Sequence, residues 1–346
     1  MVSTSSNPVL VDVFRGDRVE SRHRGAVAIV GSGGRLVLAL GDVDTPVYPR
    51  SAVKALQALP LVESGAADVF GLSEEELAIA CASHSGAQVH LHAVEGLLAK
   101  ANLRDRDLAC GPHWPLSEVT SRALLRAGRR PRAIHNNCSG KHAGMLAASV
   151  HLGWDPHGYE TAEHPLQVMI ARILSETCGV PLEPSDMGID GCSLPTYAMP
   201  LRAMAHGFAR FGTGAGLSPD RARAAKRLMD ACFAAPVLVA GEGRLDTKVL
   251  RGLPGEAFTK GGAEGVHCAV LPKLGLGIAL KVDDGGKRGA ERLLVEVLAA
   301  LLPKAGTVLA DERAGAIHNW KGRTVGRLAA SDALSSALRD LSPGET

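Results

Sequence analysis

Ser51 and Lys54 stand three residues apart in the stretch Tyr48-Pro49-Arg50-Ser51-Ala52-Val53-Lys54. Proline fixes its own φ and suits the first turn of a helix, so the spacing predicts a helix starting near Pro49, with Ser51 and Lys54 on one face. A serine one turn from a lysine is a nucleophile beside a potential base, the pairing that covalent acyl transfer needs. Alone, the two residues read better as solvated side chains on an exposed helix. Ser83, in Ser83-His84-Ser85, and Lys260, in Lys260-Gly261-Gly262, give the pair its weight. Lys54 can act as a base only if its pKa is lowered by burial or by a nearby cation, and Lys260 is a candidate for that cation. Ser83 could relay a proton to a leaving group. Singly, Ser83 also fits a buried hydroxyl bonded to backbone, and Lys260 a surface lysine.

The order of these elements resembles that of the penicillin-recognising enzymes, which carry S-x-x-K, S-D-N and K-T-G. Here His84 and Ser85 replace the Asp-Asn, Gly261 replaces the threonine, and the first two elements lie closer together than in that family.

A second constellation is His135-Asn136-Asn137-Cys138-Ser139-Gly140-Lys141-His142, a compact polar run ahead of a helical stretch. Ser139 is expected to cap that helix, so that Cys138, Lys141 and His142 converge at its start, where backbone N–H groups are free. Cys192 sits in Gly188-Ile189-Asp190-Gly191-Cys192-Ser193-Leu194-Pro195, a glycine-flanked turn. Two cysteines with a nitrogen ligand suit a soft divalent metal such as zinc, although isolated cysteines also serve as small core residues. Cys81, Cys110, Cys178, Cys232 and Cys268 lie in apolar or loop surroundings and read as structural. Arg50, beside Ser51, could hold a substrate carboxylate bidentately or stand as an exposed arginine at a helix start.

The elements that must position these groups follow from periodicity. Runs at 9–14, 26–30 and 35–40 read as strands, the last two joined by Gly31-Ser32-Gly33-Gly34 as a hairpin. The Ser51 helix is expected to run to about Leu59, with Pro60 as its stop. Residues 77–82 form an apolar run ending in Ser83. Helical spacing marks 89–101, 116–127, 140–152, 165–178, 200–211 and 219–233, and strands return at 267–271, 276–282 and 323–328 around a helix at 288–302. Strands at both ends with helices between predict an α+β fold, in which an antiparallel sheet made from both chain ends packs on helices. The expected organisation is one domain over 1–346, its sheet-containing part at about 1–85 and 255–335 and its helical part at about 86–254. The last residues, 341–346, read as loose.

Composition narrows the function. The 346-residue chain carries a net charge of +2, and its densest basic cluster, Arg129-Arg130-Pro131-Arg132, reads as a solvated turn. With only 3% aromatic residues, neither a phosphate-tracking patch nor a base-stacking surface is indicated. The seven cysteines are scattered without a C-x-x-C pair. The first eight residues hold no basic-then-apolar segment, and the apolar stretch 293–302 is too short for a bilayer. A reducing, cytoplasmic setting is the expectation.

At these residues the chain resembles the rhizobial-type L-asparaginases, over nearly its whole length from Val9 to about Leu328. The resemblance rests on Tyr-Pro-Arg-Ser-Ala-Val-Lys at 48–54, Cys-Ala-Ser-His-Ser-Gly at 81–86 and His-Asn-Asn-Cys-Ser-Gly-Lys-His-Ala-Gly at 135–144. Glu163-His164-Pro165, Asp190-Gly191-Cys192 and Lys260-Gly-Gly-Ala-Glu-Gly at 260–265 add to it. It implies a serine β-lactamase-like fold, a homodimer, and hydrolysis of L-asparagine to L-aspartate and ammonia. It also implies two Ser–Lys pairs, Ser51 with Lys54 and Ser83 with Lys260, beside a zinc ion held by Cys138, Lys141, Cys192 and water. Arg50, His142 and Asp190 would then border the substrate. Two rival readings are a penicillin-recognising or other Ser–Lys amidohydrolase, and a non-catalytic, metal-stabilised amino-acid-binding protein.

Overall fold

The computed structural model describes residues 7–341. The expected loose tail, past residue 341, and most of the N-terminal segment 1–8 lie outside the described residues. Among the described residues there are ten strands: β1 (Val9–Arg15), β2 (Arg18–Gly31), β3 (Leu36–Leu40), β4 (Met187–Ile189), β5 (Pro195–Tyr197), β6 (Phe258–Gly261), β7 (Val266–Leu271), β8 (Leu276–Val282), β9 (Ala316–His318) and β10 (Thr324–Ala330). Contacts divide the chain into two compact units. One comprises residues 1–52, 199–213 and 252–346; the other comprises 53–198 and 214–251.

The first unit holds an eight-stranded sheet in the order β6-β7-β8-β2-β1-β10-β9, with β3 also on β2. Every pairing is antiparallel. The chain ends meet inside it, since Val13 of β1 pairs with Ser21 of β2 on one side and Leu328 of β10 on the other. The architecture is thus the α+β arrangement expected, a sheet built from both termini.

All six residues of β7 are buried, and β8 is buried except at Lys281. Successive side chains point to opposite faces, so helices must cover both sides at this end of the sheet. Leu201–Thr213 is one such helix, and it lies so close that a Cβ at Gly277 would meet the Ala205 carbonyl oxygen at 1.9 Å. Lys287–Leu301 packs on β7, β8, β1 and β10. Aromatics are scarce, yet Phe208, Phe211 and Phe258 cluster here, with centroids 5.7–6.5 Å apart.

The second unit is helical, with β4 and β5 as a separate two-stranded ribbon. Glu74–Ala80 opens with a capping box between Ser73 and Glu76. Ser139–His151 crosses it at a glycine contact, where a Cβ at Gly140 would meet the Ile79 carbonyl oxygen at 2.2 Å and one at Gly144 the Ala80 Cβ at 3.0 Å. His164, from the Glu-His-Pro string, caps Pro165–Cys178 by accepting the Leu166 N–H.

One expectation is corrected. Pro60 does not stop a helix that began at Pro49. Arg50–Val53 is a 3-10 turn, Lys54–Gln57 a single α-helical turn, and Pro60 lies in the first turn of a new helix, Leu59–Glu63, where its missing N–H costs nothing. The run 77–82 lies mostly on the helix Glu74–Ala80. The segment 53–85 groups with the helices, whereas the helix Leu201–Thr213 groups with the sheet. Periodicity along one segment does not reveal which partner covers its apolar face.

Candidate active site

The sequence-selected residues fall into both units. In the sheet unit, Ser51 sits in the 3-10 turn Arg50–Val53. Arg50 takes φ +50°, a left-handed conformation that costs a non-glycine residue free energy and is concentrated at functional turns. The end of β6 lies against this turn. A Cβ at Gly262 would meet the Pro49 carbonyl oxygen at 2.9 Å and the Ser51 nitrogen at 3.4 Å, so the glycine is needed for the approach. Lys260, on β6, is fully buried and donates to the Gly261 carbonyl oxygen at 2.8 Å. The Lys-Gly-Gly strand end and the serine turn are therefore neighbours.

In the helical unit, Lys54 is fully buried. Its Nζ donates to Ser83 Oγ at 2.9 Å, to the Ala82 carbonyl oxygen at 2.7 Å and to Cys138 Sγ at 3.1 Å. Burial pushes its pKa down, and the nearby Lys141 charge adds to this, while Cys138 opposes it. The lowered pKa that a lysine base requires is thus present.

Cys138 is the residue at which Ser139–His151 starts, and Lys141 and His142 follow on the first turn, on the same face by their three- and four-residue spacing. Ser139 does not cap the helix as expected. Its hydroxyl donates to the Ile134 carbonyl oxygen at 2.9 Å and stands 2.9 Å from His84 Nε2. Cys192 rides on the loop between β4 and β5. Asp190 shapes that loop, with its N–H on the Leu194 carbonyl oxygen at 2.8 Å and its Oδ1 accepting the Gly191 N–H at 2.8 Å, and Ser193 takes φ +75°. The fold thereby brings Lys141 Nζ to 3.3 Å from Cys192 Sγ, and the Cys138 and Cys192 sulfurs share a hydrogen bond. The hydrogen bond from Cys192 holds the Cys138 thiol well below its usual range, helped by the Lys54 and Lys141 charges; Cys192 is pushed up by that same bond and by burial. Burial works against the Lys141 charge, but Cys192, Cys138 and Asp190 outweigh it and its pKa is raised.

Among the described residues no group of three or more His, Cys, Asp and Glu side chains is placed to hold a metal. The candidate donor set is instead two sulfurs and one amine. Sulfur and nitrogen ligands of a tetrahedral zinc stand about 3.6 Å apart, by the usual Zn–S and Zn–N lengths. The 3.3 Å separation of Lys141 Nζ and Cys192 Sγ fits such a set, in which a bound metal would displace the proton that Lys141 otherwise keeps.

Two groups at this site were not selected from the sequence. His84 is fully buried beside Ser83 and stacks on His90, centroids 5.2 Å apart. Tyr159 is buried, accepts the Ala109 N–H at 2.9 Å, and lies 2.5 Å from His142 Nδ1. Given to His142 Nδ1, the tyrosine proton would leave the proton of the neutral ring on Nε2. That buried Nε2 has no hydrogen-bond partner among the described residues. His84 was visible inside a selected motif; nothing in Gly158-Tyr159-Glu160 marks Tyr159.

The family model for L-asparaginase II matches residues 11–330. No curated protein matches the chain. Among solved structures, the chain is similar to Mglu in its native form (TM-score 0.41, 15% identity, 80% of this chain and 63% of that one). It is also similar to the D-alanine carboxypeptidase AmpC of Burkholderia cenocepacia (0.39, 14%, 83% and 93%) and to a β-lactamase from Mycobacterium bovis (0.33, 14%, 83% and 94%). The chain spans less than two thirds of the length of that Mglu structure. With the family model covering nearly the whole chain, this protein belongs to the L-asparaginase II family.

Proposed function

We propose that the protein hydrolyses the side-chain amide of L-asparagine to give L-aspartate and ammonia. The observation that carries the reading is the buried contact between Lys54 Nζ and Ser83 Oγ at 2.9 Å, with the lysine pKa lowered by burial. Ser51 Oγ attacks the amide carbon and gives its proton to neutral Lys54. Lys54 returns that proton through Ser83 to the departing nitrogen, and the C–N bond breaks to release ammonia. Water then adds to the resulting ester, and its cleavage regenerates the Ser51 hydroxyl and releases aspartate. Lys260 supplies positive charge to the second serine, Ser83, and Arg50 takes the substrate carboxylate as a bidentate partner.

Cys138, Lys141 and Cys192 would hold zinc, which when bound supplies a fixed positive charge that orients the polar end of the substrate. His142 offers an Nε2 proton, and Asp190 a carboxylate, to the amino-acid end. A homodimer in the cytoplasm belongs to the same reading. No described helix is long and apolar enough to cross a membrane.

The test is ammonia release from asparagine and from glutamine, run with the purified chain and with Ser51→Ala and Ser83→Ala variants. Release from asparagine, its loss in Ser51→Ala, and an acyl group on the Ser51 peptide in quenched samples are expected. Full activity in Ser51→Ala removes it as nucleophile, and no release from asparagine removes the substrate assignment.

A further inference from the structure

The turn that carries Ser83 is held on two sides. Ser83 N–H donates to the Val239 carbonyl oxygen at 2.9 Å, and His84 N–H to the Asn137 carbonyl oxygen at 3.2 Å. His84 supplies the side-chain link. Gly86 N–H donates to its Nδ1 at 3.1 Å, so that nitrogen is the acceptor and the ring proton is on Nε2. Nε2 faces Ser139 Oγ at 2.9 Å, and the Ser139 proton is committed to the Ile134 carbonyl oxygen at 2.9 Å. The roles close without conflict: His84 Nε2–H donates to Ser139 Oγ, and Ser139 O–H donates to Ile134. Both partners are fully buried.

The ring is braced further by its stack on His90, centroids 5.2 Å apart at 15°. His90 is fixed in the same sense, since Ala87 N–H donates to its Nδ1 at 3.1 Å and its Nε2 faces the Val237 carbonyl oxygen at 2.9 Å. The segment 236–240 thus receives both a histidine proton and the Ser83 N–H, two residues apart. Neither histidine has a ring nitrogen left for a substrate or a metal. This excludes a ligand role and leaves a mechanical one.

We infer that His84 is a positioning residue: through its Nε2–H bond to Ser139 it fixes Ser83 against the start of the helix that carries Cys138, and so sets the Ser83 hydroxyl on Lys54. The inference rests on the proposed reaction, in which Ser83 passes the proton from Lys54 to the leaving nitrogen. Gly140, which follows Ser139, admits no Cβ against Ile79, so the Ser139 end of the link cannot give way. A loosened His84 would therefore move the Ser83 turn and not the helix.

The test separates the two ring nitrogens. In His84→Gln the side-chain amide can reach Ser139 in place of Nε2–H; in His84→Asn the shorter amide can replace only the Nδ1 acceptor for Gly86. Steady-state ammonia release from asparagine is measured for wild type, both variants and Ser139→Ala, with thermal unfolding of each. The expected result is kcat lowered at least tenfold in His84→Asn and Ser139→Ala, KM within about twofold, His84→Gln close to wild type, and no further loss in the His84→Asn/Ser139→Ala double variant. Nitrogen NMR of imidazole-labelled protein should show His84 as the neutral Nε2–H tautomer, a readout independent of activity. Undiminished kcat in folded His84→Asn or folded Ser139→Ala, or an Nδ1–H tautomer, overturns the inference. Absence of turnover by the wild type counts against the substrate reading instead, and the tautomer then decides for or against His84 on its own.

Discussion

The Nζ of Lys54 donates to the Ser83 hydroxyl across 2.9 Å at a position that water does not reach. The same nitrogen donates to the Ala82 carbonyl oxygen and to Cys138 Sγ. Three donors meet three acceptors only if the amine is charged, yet burial drives it toward the neutral form. A group balanced in this way can take a proton and return it, which is what acyl transfer asks of its base.

Lys54→Met follows directly. Methionine keeps the length and apolar body of the side chain and removes the ionisable end from a buried site, so the fold should survive. General-base contributions are typically about 10²–10⁴-fold, and kcat for asparagine should fall within that range. KM should change less than kcat, because the proton transfer assigned to Lys54 belongs to the transition state. Steady-state kinetics on protein with unchanged circular dichroism would check this, and a loss below tenfold would remove Lys54 as the base.

Tyr159→Phe tests the orphan proton at His142. The hydroxyl receives the Ala109 N–H and faces His142 Nδ1 at 2.5 Å, where the proposed role of His142 has it donate. Without it, Ala109 N–H and Nδ1 both lose a buried partner, at about 1–3 kcal/mol for each unsatisfied group. The imidazole is then free to carry its proton on Nδ1, where Nε2 could no longer donate to substrate. Expected outcomes are a lowered melting temperature and a raised KM for asparagine with a smaller change in kcat. A variant that loses stability but keeps wild-type KM would show the tyrosine to be structural only.

Much of the scaffold was legible because its signals are local. Pro165–Cys178 and Leu276–Val282 have the bounds that periodicity and proline placement predicted. The strand Phe258–Gly261 was not foreseen, although Lys260 had been singled out, because four residues are too short for a period to show. The β4–β5 ribbon, which delivers Cys192, was missed for the same reason. Its loop was marked by glycines, but the Lys141–Cys192 contact spans 51 positions, and no local rule encodes it. Ser139 looked like a cap because serine suits that role; its hydroxyl was instead claimed by His84, a tertiary partner that local propensity cannot see. Tyr159 illustrates the same limit, since its partners Ala109 and His142 come from elsewhere in the helical unit.

Stability should depend on pH through the buried histidines. Burial lowers the pKa of His84 and His90 from the ordinary 6.5, with mutual charge repulsion adding to it for His84. The folded protein therefore holds both rings neutral, whereas the unfolded chain takes up protons as pH falls through about 6.5. Below that value the unfolded state binds more protons, so stability rises with pH there and is lost on acidification, down to the folded pKa values. Urea unfolding at pH 7.5 and at pH 5 should show the loss. His90→Gln, which removes one such ring, should show a smaller difference between the two pH values than wild type. An equal or larger difference in the variant would contradict the neutral, buried assignment of His90.

The cysteine–lysine cluster yields the last prediction. Cys138, Lys141 and Cys192 come from the start of one helix and a separate ribbon loop, and nothing else in the described chain joins those two sulfurs covalently. A metal that binds the folded cluster and not the unfolded chain stabilises by mass action, about 4 kcal/mol at a thousandfold excess over Kd. Melting of metal-stripped protein should therefore shift upward with added zinc, saturating at one ion per chain. Cys192→Ser keeps the size of the side chain but offers a hard, poorly ionised hydroxyl, so most of the zinc shift should vanish while the metal-free melting temperature stays near wild type. Cys81→Ala, at a buried cysteine read as structural, is the control: it should lower the melting temperature through a small cavity and leave the zinc shift intact. A zinc shift that survives Cys192→Ser unchanged would place any metal elsewhere and strip Lys141 of its assignment as a ligand.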